Sequence, residues 1–283
     1  MSALFGPAGN CADFYAAGHK HTTEMPAFLS TFGLTAYEYQ CGRGVRLSDA
    51  TAKDLRAEAE KYHITLSLHA PYYISLASAE PIKRDNSIQY ILDSAKAVDK
   101  LGGTHIVVHP GGLGGVSREE ATAIASHTLQ RAQKALDDEG LGHIHICPET
   151  MGKINQLGNF EEILEFCKVD ERFLPCIDFG HLNSRTHGGL NSKEAFETLL
   201  DTMENVIGKE RTKQFHAHFS KIEYTEGGEK RHLTFADTTY GPEPAPLMEL
   251  IAKRNLSPVF ICESDNTQTK DAATLLSLYM EAK

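Results

Sequence analysis

Histidines and carboxylates stand at the ends of six apolar segments, and these residue types bind metal ions and transfer protons. Each segment runs into a short polar sequence, as in LSLHAPYY, IVVHPGG, ICPET, CIDFGH, HAHFSK and ICES. The side chains concerned are His69, His109, Glu149, Asp178 with His181, His216 with His218, and Glu263. Brought together they would be costly to bury unless paired or bound to cations, so the pattern predicts a metal site.

The donor set is imidazole nitrogen and carboxylate oxygen, without an obligatory thiolate. Such a set suits Zn, Mn or Fe and disfavours the all-oxygen sites of Mg or Ca. We expect one ion to be held by Glu149, Asp178, His216 and Glu263. His69 and His109 remain for a second ion with a bridging carboxylate, and His181 and His232 for a third. Clustered ions of this kind can activate water and hold a phosphoryl group in line.

The elements that must position these residues alternate between β and α patterns. Candidate strands are residues 3–5, 36–39, 65–69, 105–109, 143–149, 174–178, 214–218 and 259–263, with amphipathic segments between them. Eight strand–helix units predict one (β/α)8 TIM barrel as a single domain over residues 1–283, and an open doubly wound sheet is the alternative. No GxGxxG or GxxxxGK[ST] follows the first strand, which disfavours the open sheet. In such a barrel the C-terminal strand ends carry the chemistry.

Composition narrows the class of protein further. The chain has 283 residues and a net charge of −10, with 28 basic and 38 acidic side chains, which argues against a protein coated in nucleic acid but allows a local basic face. No apolar run approaches the ~20 residues of a membrane span. The N-terminus lacks a signal-peptide pattern, and the six cysteines form no CxxC. We therefore expect a cytoplasmic protein with reduced thiols, no membrane association and no inferred protein partner.

The order and context of these motifs resemble endonuclease IV, the apurinic/apyrimidinic endonuclease family built on a xylose-isomerase-like barrel. The matching segments lie between about His63 and Glu263 and are HAPYYISLAS, VVHPGG, CPETMGKINQLGNFEEI, CIDFGHLNS, HAHFSK and FICES. The resemblance implies a trinuclear zinc centre that cleaves DNA 5′ to abasic sites, with Glu149 as the bridging, catalytic carboxylate. By position it assigns His69, His109 and Glu149 to the first site, Glu149, Asp178, His216 and Glu263 to the second, and His181 with His232 to the third.

The same resemblance suggests DNA contacts. Tyr72 and Tyr73 match the family loop that enters the base stack, and aromatic rings stack on bases. Lys221 and Arg231 are the predicted contacts to flanking phosphates.

Three departures mark a divergent branch. The family's third site takes an Asp from an Asp-Arg-His sequence, where this chain has Lys230-Arg231-His232. Unless the adjacent Glu229 substitutes, the third ion would be weak or absent. The segment FGPAGN also lacks the family's histidine after the first strand, and His218-Phe219 stand where the family has Asn-Asp.

Two other functions fit parts of the pattern. Sugar isomerases and epimerases on the same barrel use one metal ion and a Glu, Asp, His, Glu quartet, which this chain also contains. The extra histidines, His69, His109, His181 and His232, favour the endonuclease because a one-metal isomerase does not need them. The third function is a metal-binding barrel that has lost turnover.

Overall fold

The computed structural model describes residues 2–283, and it has ten strands. In chain order they are β1 (Leu4–Pro7), β2 (Ala36–Gln40), β3 (Thr65–His69), β4 (His105–Val108), β5 (His145–Pro148), β6 (Cys176–Asp178), β7 (His216–Phe219), β8 (Lys221–Thr225), β9 (Gly228–Leu233) and β10 (Val259–Cys262). β8 and β9 pair antiparallel as a hairpin. The other eight strands are parallel, so the predicted (β/α)8 barrel is confirmed.

Helices cover the outside of the barrel. They are α1 (Ala12–Ala16), α2 (Met25–Ser30), α3 (Asp49–Tyr62), α4 (Pro81–Leu101), α5 (Arg118–Asp138), α6 (Phe160–Cys167), α7 (Phe179–Arg185), α8 (Lys193–Ile207), α9 (Lys209–Lys213), α10 (Pro244–Lys253) and α11 (Gln268–Glu281), with a 3-10 helix at Thr22–Glu24. Ser48, Ser117, Asn159 and Ser192 cap α3, α5, α6 and α8 by accepting a backbone N–H three residues on. Among the described residues, no helix is long and apolar enough to cross a membrane.

The barrel closes where two four-stranded runs meet. One run has the order β1-β10-β7-β6 and the other β2-β3-β4-β5. Parallel bridges join Ala8 to Glu38 and Glu149 to Cys176, so β1 meets β2 and β5 meets β6. Gly6 allows the first approach, because a Cβ there would lie 1.7 Å from the Ala36 carbonyl oxygen. Closure brings the C-terminal ends of all eight strands to one rim.

The core has two parts, because successive strand residues point to opposite faces. Large apolar side chains such as Phe5, Phe179 and Phe260 pack between strands and helices. A small separate cluster of Val107, Cys147, Leu174 and Cys176 fills part of the barrel interior. Cys147 and Cys176 therefore belong to the inward face.

The hairpin β8–β9 was not predicted from the sequence. It follows β7 after a single residue and packs against α7. Its strands carry mixed polar side chains, and their burial lacks the regular alternation of a half-covered strand. The hairpin reaches over the C-terminal rim of the barrel, where its side chains join those at the ends of the strands.

Candidate metal centre

The first group of candidate ligands comprises His69, His109 and Glu149, from the ends of β3, β4 and β5. His69 donates Nδ1–H to the Ala70 carbonyl at 2.8 Å, which leaves its Nε2 lone pair facing the rim. That Nε2 lies 3.2 Å from His109 Nε2 and 3.3 Å from Glu149 Oε2. His109 Nε2 lies 2.9 Å from the same carboxylate oxygen. Two nitrogens and one oxygen thus converge as a metal ion would require.

The second group comprises Glu149, Asp178, His218 and Glu263, whose ligand atoms lie within 4.8 Å of one another. His218 Nδ1 is 3.2 Å from Glu149 Oε1 and 3.5 Å from Glu263 Oε2. Asp178 Oδ1 caps α7 by accepting the His181 N–H at 2.7 Å. Its Oδ2 is buried without a hydrogen-bond partner, and such an atom fits a cation ligand.

His218 therefore takes the place in this group that the sequence analysis gave to His216. Both histidines point inward from β7, two residues apart, but β7 extends to Phe219 and only His218 reaches the rim. His216 lies one layer deeper, with Nε2 2.9 Å from Glu38 Oε2. Counting back from the last strand residue, rather than matching the first histidine of HAHFSK, would have identified His218.

The third group comprises His181, Glu229 and His232, the last two from the hairpin. His181 donates Nδ1–H to the Thr150 carbonyl at 2.9 Å, and its Nε2 lies 3.5 Å from Glu229 Oε2. His232 Nδ1 is 2.9 Å from the Ser220 hydroxyl, and its Nε2 lies 3.9 Å from Glu229 Oε1. In both histidines one nitrogen is held by the protein and the other faces the carboxylate.

Lys230 does not oppose this third group. Its Nζ pairs with Glu223 Oε1 at 2.6 Å, and its side chain is 54% exposed. Because the lysine turns to the opposite face of the hairpin strand, the carboxylate that faces His181 and His232 is that of Glu229. The strength of the third site stays a prediction, and the geometry of Glu229 is the observation that bears on it.

Charge inside the centre is balanced by protons in the absence of metal. Burial alone would raise the pKa of the Glu149 carboxyl, but His109 and His218 lower it well below its usual range. Burial likewise opposes protonation of His181, yet the Asp178 and Glu149 carboxylates raise its pKa to about 10. Burial raises the pKa of the Asp178 carboxyl. Protonated imidazoles thus occupy positions where cations would otherwise neutralise the acids.

Zinc binding to the metal-free protein is expected to release protons near neutral pH. His181 has a pKa of about 10, so below that pH its imidazole must lose a proton before it can bind an ion. Affinity should therefore rise with pH, and at least one proton should appear per ion bound by His181. Calorimetry in buffers of different ionisation enthalpy measures this release. Equal heats in all buffers would contradict the prediction, and His181→Ala should release fewer protons than the parent chain.

A cavity of about 300 Å³ lies directly over the three groups. Its lining is His69, Tyr72, His109, Met151, Lys153, Gln156, His181, Glu229, His232 and Glu263. The Tyr72 ring lies 5.4 Å from the His69 ring and 5.2 Å from the His109 ring, measured between centroids, and the residue is 56% exposed. The aromatic ring thus forms one wall of the mouth. Lys153, which is not among the predicted DNA contacts, supplies an exposed cation to the same lining.

The other residues predicted to contact DNA differ in how accessible their side chains are. Tyr73 is 57% exposed and lies against Tyr90, away from the cavity. Arg231 is exposed, with Nε 2.6 Å from Glu223 Oε2. The prediction that Lys221 contacts a phosphate is wrong. Lys221 is 3% exposed, and its Nζ donates to the Asp237 carbonyl at 2.7 Å and to Glu243 Oε1 at 2.6 Å. A lysine so engaged stabilises the loop after the hairpin and does not face a phosphate.

Comparison with known proteins shows the family to which the chain belongs. Residues 26–279 match the family described as Xylose isomerase-like TIM barrel, and the chain belongs to that family. It is 35% identical over 253 residues to a Methanocaldococcus jannaschii protein named "Uncharacterized protein MJ0133", covering 89% of this chain and 90% of that protein. It is 28% identical over 207 residues to "Probable endonuclease 4" of Thermoplasma acidophilum, covering 70% of this chain and 69% of that protein.

Solved structures of proteins named for two different activities share this fold. A D-tagatose 3-epimerase-like protein superposes with a TM-score of 0.72 at 20% identity, covering 98% of this chain and 97% of that chain. Endonuclease IV from Thermus thermophilus superposes with a TM-score of 0.68 at 20% identity, covering 99% of this chain and 98% of that chain. The resemblance to endonuclease IV inferred from the motifs is thus confirmed at the level of family and fold. Because both activities use this barrel, the fold does not choose between them.

Proposed function

We propose that the protein is a metal-dependent phosphodiester hydrolase that cleaves DNA 5′ to abasic sites, with zinc at the three ligand groups. The observation that carries the proposal is the position of Glu149. Its Oε2 lies 2.9 Å from His109 Nε2, and its Oε1 lies 3.2 Å from His218 Nδ1. One carboxylate therefore offers one oxygen to each of two adjoining groups. Isomerisation with a single ion needs no such sharing.

The residues fit the proposed ions. Four histidines each have one nitrogen against a protein partner, while the other faces a carboxylate of the centre, which is the usual arrangement of metal-binding imidazoles. Nitrogen and carboxylate donors in this proportion suit zinc, and they also accept manganese or iron. When bound, such ions supply Lewis acidity that offsets the charge developing on phosphate oxygens during hydrolysis.

The chain's own residues would position the DNA. Tyr72 walls the mouth and presents an exposed ring on which an abasic sugar or a neighbouring base can stack. Lys153 at the cavity and Arg231 on the hairpin would attract phosphates flanking the cleaved bond, an attraction that weakens as salt rises. Glu149, which contacts both the first and the second ligand group, would lie beside the phosphate that is cleaved.

The third ion is expected to depend on Glu229 and not on Lys230. Glu229→Gln removes the charge that faces His181 and His232, so the number of tightly bound zinc ions should fall by one. Lys230→Ala is the matched control, because Lys230 pairs with Glu223 and its loss should leave zinc content unchanged. Metal analysis after dialysis measures both variants. Equal zinc in Glu229→Gln and the parent would remove Glu229 from the centre.

Incubation of the zinc-loaded protein with a duplex that has one abasic site tests the proposed reaction. Cleavage on the 5′ side should leave a 3′-hydroxyl on one product and the abasic sugar phosphate on the other. A duplex of the same sequence without the abasic site is the control. An intact abasic duplex after incubation with fully metallated protein would overturn the proposal.

Sugar isomerisation or epimerisation is the second candidate. It is favoured by the quartet Glu149, Asp178, His218 and Glu263, which alone could hold one ion. A parallel assay with ketoses distinguishes the two. If the metallated protein interconverts ketoses and leaves abasic DNA intact, the epimerase assignment replaces the nuclease.

A further inference from the structure

A fully buried carboxylate lies beneath the metal centre and belongs to none of its ligand groups. Glu38 projects from β2 into the barrel and is 0% exposed. It lies between the two histidines of β7: His218 Nε2 is 3.0 Å from Glu38 Oε1, and His216 Nε2 is 2.9 Å from Glu38 Oε2. Burying a charged group at such depth costs free energy unless the charge is paired, so the partners of Glu38 must offset that cost.

The contacts of Glu38 account for both of its oxygens. Gln40 Nε2 approaches Oε1 at 3.2 Å, and the Ser67 hydroxyl donates to Oε2 at 3.0 Å, in addition to the two imidazoles. An ionised carboxylate accepts about four hydrogen bonds, and four donors surround this one. The His218 contact is a close ion pair whose angle departs from that of a good hydrogen bond. Glu38 is therefore held in one orientation by Ser67 and His216, with its other oxygen toward His218.

This arrangement favours Nδ1 as the metal-binding nitrogen of His218. Nδ1 is hydrogen-bonded to Glu149 Oε1 and Nε2 faces Glu38 as an ion pair, so if an ion takes the place of the Nδ1 proton, the remaining proton is on Nε2, against Glu38. That Nδ1 faces Glu149 and Glu263, at 3.2 and 3.5 Å. A carboxylate behind a ligand histidine sets its tautomer and ring orientation and raises its basicity. His218 thus contacts Glu38 through one ring nitrogen and the second ligand group through the other.

We infer that Glu38 is a positioning residue that presents His218 Nδ1 to the ion of the second group, an inference that rests on the proposed metal centre. His216 and Ser67 hold Glu38 for this task. Loss of such a carboxylate behind a ligand histidine typically weakens metal binding about 10- to 100-fold.

Zinc affinity, measured by competition with a chromophoric chelator, tests the inference. Glu38→Gln should weaken the ion of the second group by about 10- to 100-fold. Ser67→Ala removes one of the donors that orient Glu38 but leaves its charge and both histidine contacts, so it should lose affinity, and less of it than Glu38→Gln. If Glu38→Gln does not fold, Glu38→Asp keeps the charge but withdraws it from His218, and it should also lose affinity.

A double-mutant cycle separates positioning from general support of the barrel. In a His218→Ala background, Glu38→Gln should cause no further loss of zinc affinity, because the effect passes through His218. In the zinc-loaded parent, nitrogen NMR should find the His218 proton on Nε2. An equal loss in the His218→Ala background, an unchanged affinity of the single variant, or a proton on Nδ1 would each overturn the inference.

Three further outcomes are decided by the same titration, read together with the nicking assay. Cys176, His216 and His218 also place ligand atoms within 4.8 Å of one another. A fourth zinc ion that disappears in Cys176→Ser would make this layer a metal site and overturn the positioning role. Weaker zinc binding in Glu38→Gln together with an inactive parent enzyme would support the role of Glu38 and refute the nuclease. Nicking by the parent with unchanged zinc affinity in Glu38→Gln would do the reverse.

Discussion

Replacing His69 and His109 together with alanine is expected to abolish nicking of an abasic duplex while the protein still binds metal. The two imidazoles supply both nitrogens of the first group, and their Nε2 atoms lie 3.2 Å apart. Without them Glu149 Oε2 has no partner ligand, so the first ion should be lost. Glu149, Asp178, His218 and Glu263 remain and should keep one ion. Nicking rate and zinc content, measured on the same preparation, test this expectation.

A second pair of histidines provides the control for that variant. His127 and His143 are exposed, and His143 contacts Asp99, outside all three ligand groups. His127→Ala/His143→Ala should keep parental activity and metal content. If His69→Ala/His109→Ala nicks abasic DNA as fast as this control, the first group has no part in the reaction.

Glu149→Ala is expected to lose at least two zinc ions per chain. Glu149 is fully buried and contacts His69, His109 and His181, and also His218, so two ligand groups lose their shared carboxylate at once. In the metal-free protein the same change leaves buried imidazoles without their partner. Breaking a buried ion pair in this way costs about 3–5 kcal/mol of the free energy of unfolding. Metal analysis and urea unfolding measure the two effects.

Glu149→Gln separates the effect of losing the negative charge from the effect of losing side-chain volume. The amide fills the same volume, so packing is preserved while the anionic oxygens are lost. It should still lose two ions, with a smaller loss of stability than the alanine variant. Full zinc occupancy in either variant would remove the bridging role from Glu149.

Much of this architecture could be predicted from the sequence because parallel strands repeat one rule. Each apolar segment ends in a polar residue, and a closed barrel must bring those ends to one rim. His69, His109, Glu149, Asp178 and Glu263 obey that rule, and the structure places all five at the mouth. Their positions follow from strand ends alone, without knowledge of side-chain contacts.

The remaining features depend on contacts that a sequence pattern does not contain. His216 and His218 share one face of β7, and only the length of the strand decides which of them reaches the rim. Glu229 and Lys230 are neighbours, and the pairing of β8 with β9 decides which of them faces His181. Lys221 is buried by the loop after the hairpin, and Glu38 is defined by partners on neighbouring strands. Such features follow from tertiary pairing.

Anomalous diffraction at the zinc edge, from crystals of the zinc-loaded protein, tests the central claim most directly. The account predicts three peaks in one cluster: one at His69, His109 and Glu149, one at Glu149, Asp178, His218 and Glu263, and one at His181, Glu229 and His232. The first two peaks should share Glu149 as a ligand. A single peak within the second group, with His69 and His109 free of metal, would contradict the account, because one ion on that quartet is the requirement of a sugar isomerase.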